Sequence, residues 1–593
     1  MSCRVAMLAF IGVGLSMAQE GTRVYIAHCQ QCHDQNSDAH APLASALAAR
    51  PWEAILKSLE SGAMRAQGAQ LTPEERRSVA RYLGKAGPSV PPVMTGHCPA
   101  GAKPVSSGAS WNGWSPDERN TRFQTAKAAG LAAEQVPNLK LKWAFGFPDA
   151  VTAYGQPTVV GGRVYTGSND GTVYAMDARS GCLYWMYQAK AMVRDAVVIG
   201  PDFRAYFGDL ESNFYALDAR TGKLVWQRKL DDQAFTRITG TAKLHAGRLY
   251  VPIASQEENA GANPFYSCCT FRGNIVALKA SDGSVLWKSY TSPEAKPTWK
   301  SAAGIQFYGP SGATIWSSPT LDLKRKLLYV ATGNGYSDPE INTADAIVAV
   351  DMETGAIRWS QQANPDMFNW DCGGNGAQGP QKGNCPEKAG TDVDFGASPI
   401  LVDLDNGRQM LLGGQKSAVV WGFDPDQKGK VVWQTRIGKG GPGGGIQWGI
   451  AYSPSDRLVV APLADAVRGN PLSGGGLFAL DAATGKIVWH TPPPKPLCAG
   501  VPGCSGAQRS PPTLIPGVAF APSVDGHIRA YRLKTGEIIW DYDAVQTYTT
   551  VNGIPGRGGS FSSTGPVVVD GMLYVNSGYS SMPGNVLLAF GLP

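Results

Sequence analysis

Residues 29–33 read Cys-Gln-Gln-Cys-His. That spacing lets two thiols add to the two vinyl groups of a haem while the imidazole ligates iron from the same side. Cys29, Cys32 and His33 therefore predict a covalently attached haem c. A zinc site would need a second ligand pair, and none follows at a suitable spacing. A thioredoxin-like redox pair would sit in a βαβ pattern, which this region lacks. Cys268 and Cys269 are adjacent. Neighbouring thiols seldom bond, because the small ring strains the peptide between them. In an oxidising compartment, with no other partner, they can still close one. A flat, rigid disulfide then makes a lid for a planar cofactor.

The iron also needs a distal ligand, and Met64 is the expected one, with Met94 the next candidate. Met64 precedes Leu71-Thr72-Pro73-Glu74-Glu75. Thr72 caps a helix, Pro73 takes its first position, and Glu75 completes a capping box. Val79, Tyr82 and Leu83 fall on one face of that helix. The arrangement resembles a small all-α class I cytochrome c, whose distal Met precedes the last helix. A thioether ligand raises the potential, which suits accepting electrons.

Behind this segment the composition changes what must be built. The chain has 593 residues, too many for one ordinary core. Charged residues are 17%, with 72 Gly and 42 Pro, a mix that suits short strands joined by turns. The formal charge is +6 with no basic tract, so nothing points to nucleic acid. One segment recurs: a strand ending Ala-hydrophobic-Asp, a Thr-Gly or Ser-Gly turn, and a strand ending in Trp. Copies include Ala175–Trp185, Ala216–Trp226, Ala277–Trp287, Ala349–Trp359, Gly422–Trp433, Ala479–Trp489 and Ala530–Trp540. Each repeat is one four-stranded propeller blade. Gly584–Phe590 is a first strand without its Trp strand, and Asn138–Phe147 is a Trp strand without its partner. Joining them closes an all-β eight-bladed propeller and removes its open edges. The Trp residues are expected to pack between blades. The long gaps between Trp226, Trp287, Trp359 and Trp433 hold insertions, where chemistry is expected.

Residues 1–18 read as a signal peptide: Arg4, an apolar run Val5–Leu15, then Ser16-Met17-Ala18. No later segment is apolar enough to span a bilayer. A periplasmic protein follows, and the remaining cysteines fit bridges: Cys372 with Cys385, Cys498 with Cys504, and Cys98 with Cys182. The expected organisation is a signal peptide over 1–18, a cytochrome c domain over 19–87, a proline-stiffened linker over 88–97 and a propeller over 98–593.

The Trp repeats, the adjacent cysteines and the segment Trp111-Asn112-Gly113-Trp114-Ser115-Pro116 with Arg119–Phe123 resemble the pyrroloquinoline quinone (PQQ) alcohol dehydrogenases. Within them, the likeness is to the cytochrome-containing polyvinyl alcohol dehydrogenases. That resemblance implies an eight-bladed propeller with PQQ and calcium on its axis. It matches Trp316 to the residue on which PQQ stacks, Asn334 to a calcium ligand, Asp371 to the catalytic base and Lys416 to the group on the quinone oxygens. Glu257 or Glu258 would supply the calcium carboxylate, and Arg272 would meet a PQQ carboxylate. Cys268 and Cys269 would cap PQQ, although here they share one inter-Trp insertion with the calcium carboxylate, unlike the methanol dehydrogenase type. The chemistry of these groups agrees with the roles: calcium prefers oxygen ligands, and Asp371 beside calcium and Lys416 would stay ionised. It would take the alcohol proton as hydride passes to the quinone, and haem would receive the electrons. The substrate implied is a secondary alcohol, with polyvinyl alcohol one candidate, and the onward acceptor a soluble cytochrome c. Small alcohols, aldehydes or sugars are the alternative substrates, and a noncatalytic propeller scaffold is the alternative function.

Overall fold

The structure, a computed structural model, describes residues 20–33, 41–48, 50–60, 62, 64–85, 93–99, 108–261, 263, 265–301, 304–369, 385–405, 407–467, 470–498, 500–501, 504–579 and 582–593. The expected signal peptide lies outside them.

The repeat folds as its residues dictate. Thr172–Asp177 pairs antiparallel with Leu183–Gln188, which sets Ala175 opposite Trp185. Asp177 ends the first strand, and its Oδ1 accepts from the backbone N–H of Arg179 and Ser180 at 3.1 and 2.8 Å. This turn leads into Gly181 at φ 73°, a left-handed conformation that only glycine adopts freely. The same chemistry recurs at Asp218 with Gly222, Asp351 with Gly355, and Asp481 with Gly485.

That glycine serves a second purpose, because it packs on the indole of the preceding blade. A Cβ on Gly485 would stand 2.4 Å from Cε3 of Trp433. Trp433 donates Nε1–H to the carbonyl of Ala482 at 3.1 Å, and Trp185, Trp226 and Trp489 donate likewise to Ala219, Ala280 and Leu533 at 2.9, 3.1 and 2.8 Å. Each indole thus buries an apolar face, worth on the order of 2 kcal/mol, and fixes blade to blade. Gly485→Ala is expected to cost about 1–3 kcal/mol through φ strain and overpacking. It should lower the urea midpoint of propeller unfolding at unchanged m.

Among the described residues, the blades are eight antiparallel sheets, seven of four strands and one of five, with three two-stranded ribbons besides. The ring closes as the chain ends suggested. Lys140–Gly146 pairs with Val586–Gly591, with Trp143 opposite Ala589, and Trp540 donates to the Leu139 carbonyl at 3.3 Å.

A strap over residues 111–124 ties the blades across one face. Trp111 bridges to Val159, and Asn112 exchanges two 2.8 Å hydrogen bonds with Ile199. The Asn120 amide donates to Ser318 O, Pro319 O and Thr320 Oγ1 at 3.2, 3.0 and 2.8 Å. Arg122 is fully buried. Its guanidinium donates to Pro512 O, Trp114 O, Thr513 Oγ1 and Pro566 O at 2.9, 2.6, 2.9 and 3.3 Å, sandwiched by Trp111 and Trp114.

The N-terminal unit is helical: residues 20–28, then Gln30–His33, Ala44–Leu47, Trp52–Glu60, Arg65–Gly68 and Pro73–Leu83. The capping box forms, with Thr72 Oγ1 accepting from Glu75 N and Glu75 from Thr72 N. Val24, Ile55, Leu59, Leu71, Val79 and Leu83 make its core. Tyr82, expected on the apolar face with Val79, stays 44% exposed, with its ring tilted at 45° against Tyr25. Cys98–Cys182 and Cys498–Cys504 are bonded as expected. Cys385 is disulfide-bonded, while its expected partner Cys372 lies outside the described residues. The backbone at 95–98 already runs on the propeller, with Thr95 N–H donating to Asn552 O and Cys98 N–H to Leu183 O, both at 3.0 Å. Within the expected linker over 88–97, the backbone from Thr95 thus already lies against the propeller.

Candidate active site

The helical unit carries one pole of the site. Cys29, Cys32, His33 and Met64 line the same cavity, of about 400 Å3. Met64 stands at the start of the Arg65–Gly68 helix, and its N–H donates to Ser58 O at 3.0 Å. His33 is 5% exposed, and its Nδ1 lies 2.6 Å from the Pro42 carbonyl. Burial lowers its basicity, so a neutral ring donates from Nδ1 and keeps Nε2 for a metal. Cys29 and Cys32 form no disulfide. Leu47, Ile55, Leu59, Leu71, Val79 and Leu83 complete apolar walls suited to a porphyrin. Met94 packs against the propeller core instead.

The same cavity continues to the propeller axis, where Trp316, Trp448, Glu258, Asp392, Asp394 and Lys416 line it. Contacts between the two units hold this arrangement: Arg65 pairs with Glu211 at 3.3 Å, and Arg50 donates to the Asp149 carbonyl. Trp316 presents its ring edge-on to Trp448, 4.9 Å between centroids at 86°. Lys416, 7% exposed, follows the strand Gln409–Gly414. Its Nζ donates to Asp392 Oδ1 at 2.5 Å and Asp394 Oδ2 at 2.9 Å. Burial opposes its charge, but the two aspartates overrule it and push the ammonium's pKa up. Asp394 is pushed up to about 7, chiefly by burial and against the pull of Lys416.

Asn334 is fully buried beside them. Its backbone N–H donates to Asp394 Oδ1 at 2.8 Å and its Nδ2 to Asp392 Oδ1 at 3.1 Å. Its Oδ1 has no partner. A buried carbonyl oxygen without a donor is costly, and a cation would satisfy it. Glu257 and Glu258 separate cleanly. Glu257 is held by the N–H groups of Thr270 and Phe271 and the hydroxyl of Tyr266, at 2.6–3.0 Å, and so anchors the chain after the cysteine pair. Glu258 turns into the cavity. Burial, then Asp394 and Asp392, raise its carboxyl well above the ordinary range, against Lys416 and Arg237. Among the described residues no three His, Cys, Asp or Glu side chains converge as a metal centre.

A polyvinylalcohol dehydrogenase from Sphingopyxis sp. (strain 113P3) is 38% identical over 619 residues, covering 97% of this chain and 93% of its own. The chain belongs to the polyvinyl alcohol dehydrogenase family. A second member, from Pseudomonas sp, is 37% identical over 99% of this chain and 96% of its own. The family joins a cytochrome c unit to a quinoprotein propeller, and three family models agree with that division. One described as cytochrome C oxidase, cbb3-type, subunit III matches residues 16–83. One described as the beta-propeller domain of glucose/ethanol/alcohol dehydrogenase matches 259–377. One described as outer membrane protein assembly factor BamB matches the blade repeats at 140–300 and 416–577. The fold is also that of the quinohemoprotein alcohol dehydrogenase from Comamonas testosteroni, with TM-score 0.59 at 21% identity over 82% of this chain and 80% of that one.

Against this family's expected site, the structure brings together Trp316, Asn334, Lys416 and Glu258. It does not bring in Arg272, whose Nε donates to Ser292 O at 3.0 Å while the guanidinium lies 3.7 Å over Tyr290. A carbonyl and an aromatic face hold that group outside the cavity lining. Cys268 and Cys269 are bonded to each other, yet they are buried among Phe271, Phe307 and Tyr336 and do not line the cavity. Asp371 lies outside the described residues. Sequence reasoning missed Asp392, Asp394, Arg194, Arg237 and Trp448. The available signal was Asp392-Val393-Asp394, 24 and 22 residues ahead of Lys416 and leading into the first strand of the same blade.

Proposed function

We propose that this chain oxidises secondary alcohols, polymeric ones such as polyvinyl alcohol included, and delivers the electrons to its own haem c. PQQ, calcium and haem, when bound, supply respectively the two-electron acceptor, the Lewis acid and the one-electron acceptor. The observation that carries the reading is the single cavity with Cys29, Cys32, His33 and Met64 at one pole and Trp316, Glu258, Asp392 and Lys416 at the other.

The residues fit those groups. Trp316 offers a face for a planar ring. Arg194 and Arg237 line the cavity and suit the carboxylates of PQQ. Glu258, Asn334 Oδ1 and the aspartates are hard oxygen donors, which calcium prefers. Asp371, the expected base, lies outside the described residues; among those described, the carboxylate we assign to the role is Asp392. Its Oδ1 is held by Lys416 and Asn334, and its carboxyl meets that of Asp394, so the pair together offers a site for the alcohol proton. Lys416 fixes both aspartates and suits a developing negative oxygen. Disulfides at Cys98–Cys182 and Cys498–Cys504 support an oxidising, periplasmic setting. No helix among the described residues is long and apolar enough to cross a membrane.

The test is reconstitution. With PQQ and calcium added, secondary alcohols are expected to reduce the haem, seen at about 550 nm. Chelating calcium should remove that reduction, and restoring it should bring it back. Loaded protein that no alcohol reduces contradicts the reading. A panel of polymer against small diols separates the polymer from the small-alcohol alternative.

A further inference from the structure

The cavity floor does not end at Trp316. Trp316 also lines a second, smaller space of about 20 Å3, enough for one water molecule. Its walls include Arg194, Thr239, Trp316 and Trp448, which also line the large cavity. Another wall is Trp114, which also lines an open groove of about 970 Å3 on the strap face. The small space therefore shares walls with both larger ones, with the cofactor cavity through four residues and with the strap-face groove through Trp114.

Two polar atoms lining the small space have no partner. Asp195 is 2% exposed; its Oδ2 accepts from Gly208 N at 2.9 Å, but its Oδ1 is buried and unbonded. Thr239 Oγ1 is likewise buried and unbonded. A buried carboxylate oxygen and a hydroxyl left bare are each costly, and both belong to residues that line a space of water size. Among the described lining residues only Arg194 and Asp195 are ionisable. The Arg194 guanidinium is 4.1 Å over Trp448. Asp209, bound by Asn213 and Tyr215, is the carboxylate that adds like charge to Asp195.

We propose that Asp195 and Thr239 hold a water molecule in this space, and that this water with Asp195 is the proton outlet of the site. The outlet rests on the alcohol-oxidising reading above; the water site does not. Oxidation of a secondary alcohol to a ketone releases two protons with its two electrons. The electrons leave to haem and then to the onward acceptor, whereas the protons must reach solvent, and the small space offers them a way out apart from the cavity that the substrate enters. Each hop breaks one O–H bond as it forms another, so Asp195 and the water end each turnover unchanged.

Two measurements on the full, PQQ-loaded chain test this. A crystal structure fine enough for ordered solvent is expected to contain a water within hydrogen-bonding distance of Asp195 Oδ1 and Thr239 Oγ1. Empty density there overturns the proposal, whatever the protein catalyses. Alcohol-driven haem reduction in H2O and D2O reads the role. Asp195→Asn is expected to slow it by about tenfold or more and to enlarge the solvent isotope effect, with PQQ loading and the dithionite-reduced haem spectrum unchanged. Thr239→Val should move both quantities the same way by less. Unchanged rate and isotope effect in both variants overturn the outlet. If wild type loads PQQ yet no alcohol reduces its haem, the functional reading and the outlet fail together, and the density alone decides the water site.

Discussion

Asp392→Asn is expected to lower alcohol-driven haem reduction by about 10²–10⁴-fold, the range for loss of a general base. The substitution keeps the shape and a carbonyl acceptor for Lys416, which now reaches Asp392 Oδ1 at 2.5 Å. It removes the capacity to take a proton together with one negative charge beside Lys416. The haem spectrum and PQQ loading should stay those of wild type, so the loss appears in kcat rather than in folding. Asp371→Asn is the matched control. A large loss there, with Asp392→Asn active, would return the base to the segment over 370–384. Lys416→Ala should behave differently, because it leaves Asp392 and Asp394 facing each other in a buried site without their shared cation. There we expect weakened cofactor loading as well as slower turnover.

Arg122→Ala is expected to destabilise the propeller by about 3 kcal/mol or more. The side chain has no exposure, and its removal strands carbonyls at 512, 114 and 566 that it now satisfies. It also empties the space between Trp111 and Trp114. The strap it belongs to touches blades far apart in the ring, so the loss should lower the urea midpoint of the whole propeller as one transition. The helical unit shares none of these contacts, and its haem absorbance should persist to the wild-type midpoint. Arg122→Lys is not expected to rescue, because one ammonium cannot span four acceptors in a planar fork.

The parts of this protein legible in sequence are those with local spacing. Cys29–His33 declares its chemistry within five positions. The Asp, Gly and Trp of each repeat declare a blade, because the Asp fixes the turn, the Gly alone fits its φ, and the Trp needs that Gly surface. Even ring closure followed, since a strand without a partner at each chain end has one economical solution. The quinone pole was legible only in part, for it is assembled from residues 258, 316, 334, 392, 394 and 416, on separate blades and insertions. Nothing in the pair Glu257-Glu258 tells which carboxylate the Thr270 and Phe271 amides will claim. Arg272 beside the cysteine pair looked suited to an anion, yet Tyr290 and the Ser292 carbonyl hold it elsewhere. Asp392 and Asp394 read as ordinary loop acids until Lys416 folds against them.

The central claim is that one chain holds the quinone site and the haem that empties it across a shared cavity. The direct measurement is single-turnover haem reduction by a secondary alcohol, followed by stopped flow over a hundredfold range of protein concentration. The account predicts a first-order rate independent of protein concentration. A rate that rises in proportion to concentration would mean that electrons pass between molecules, and would contradict it.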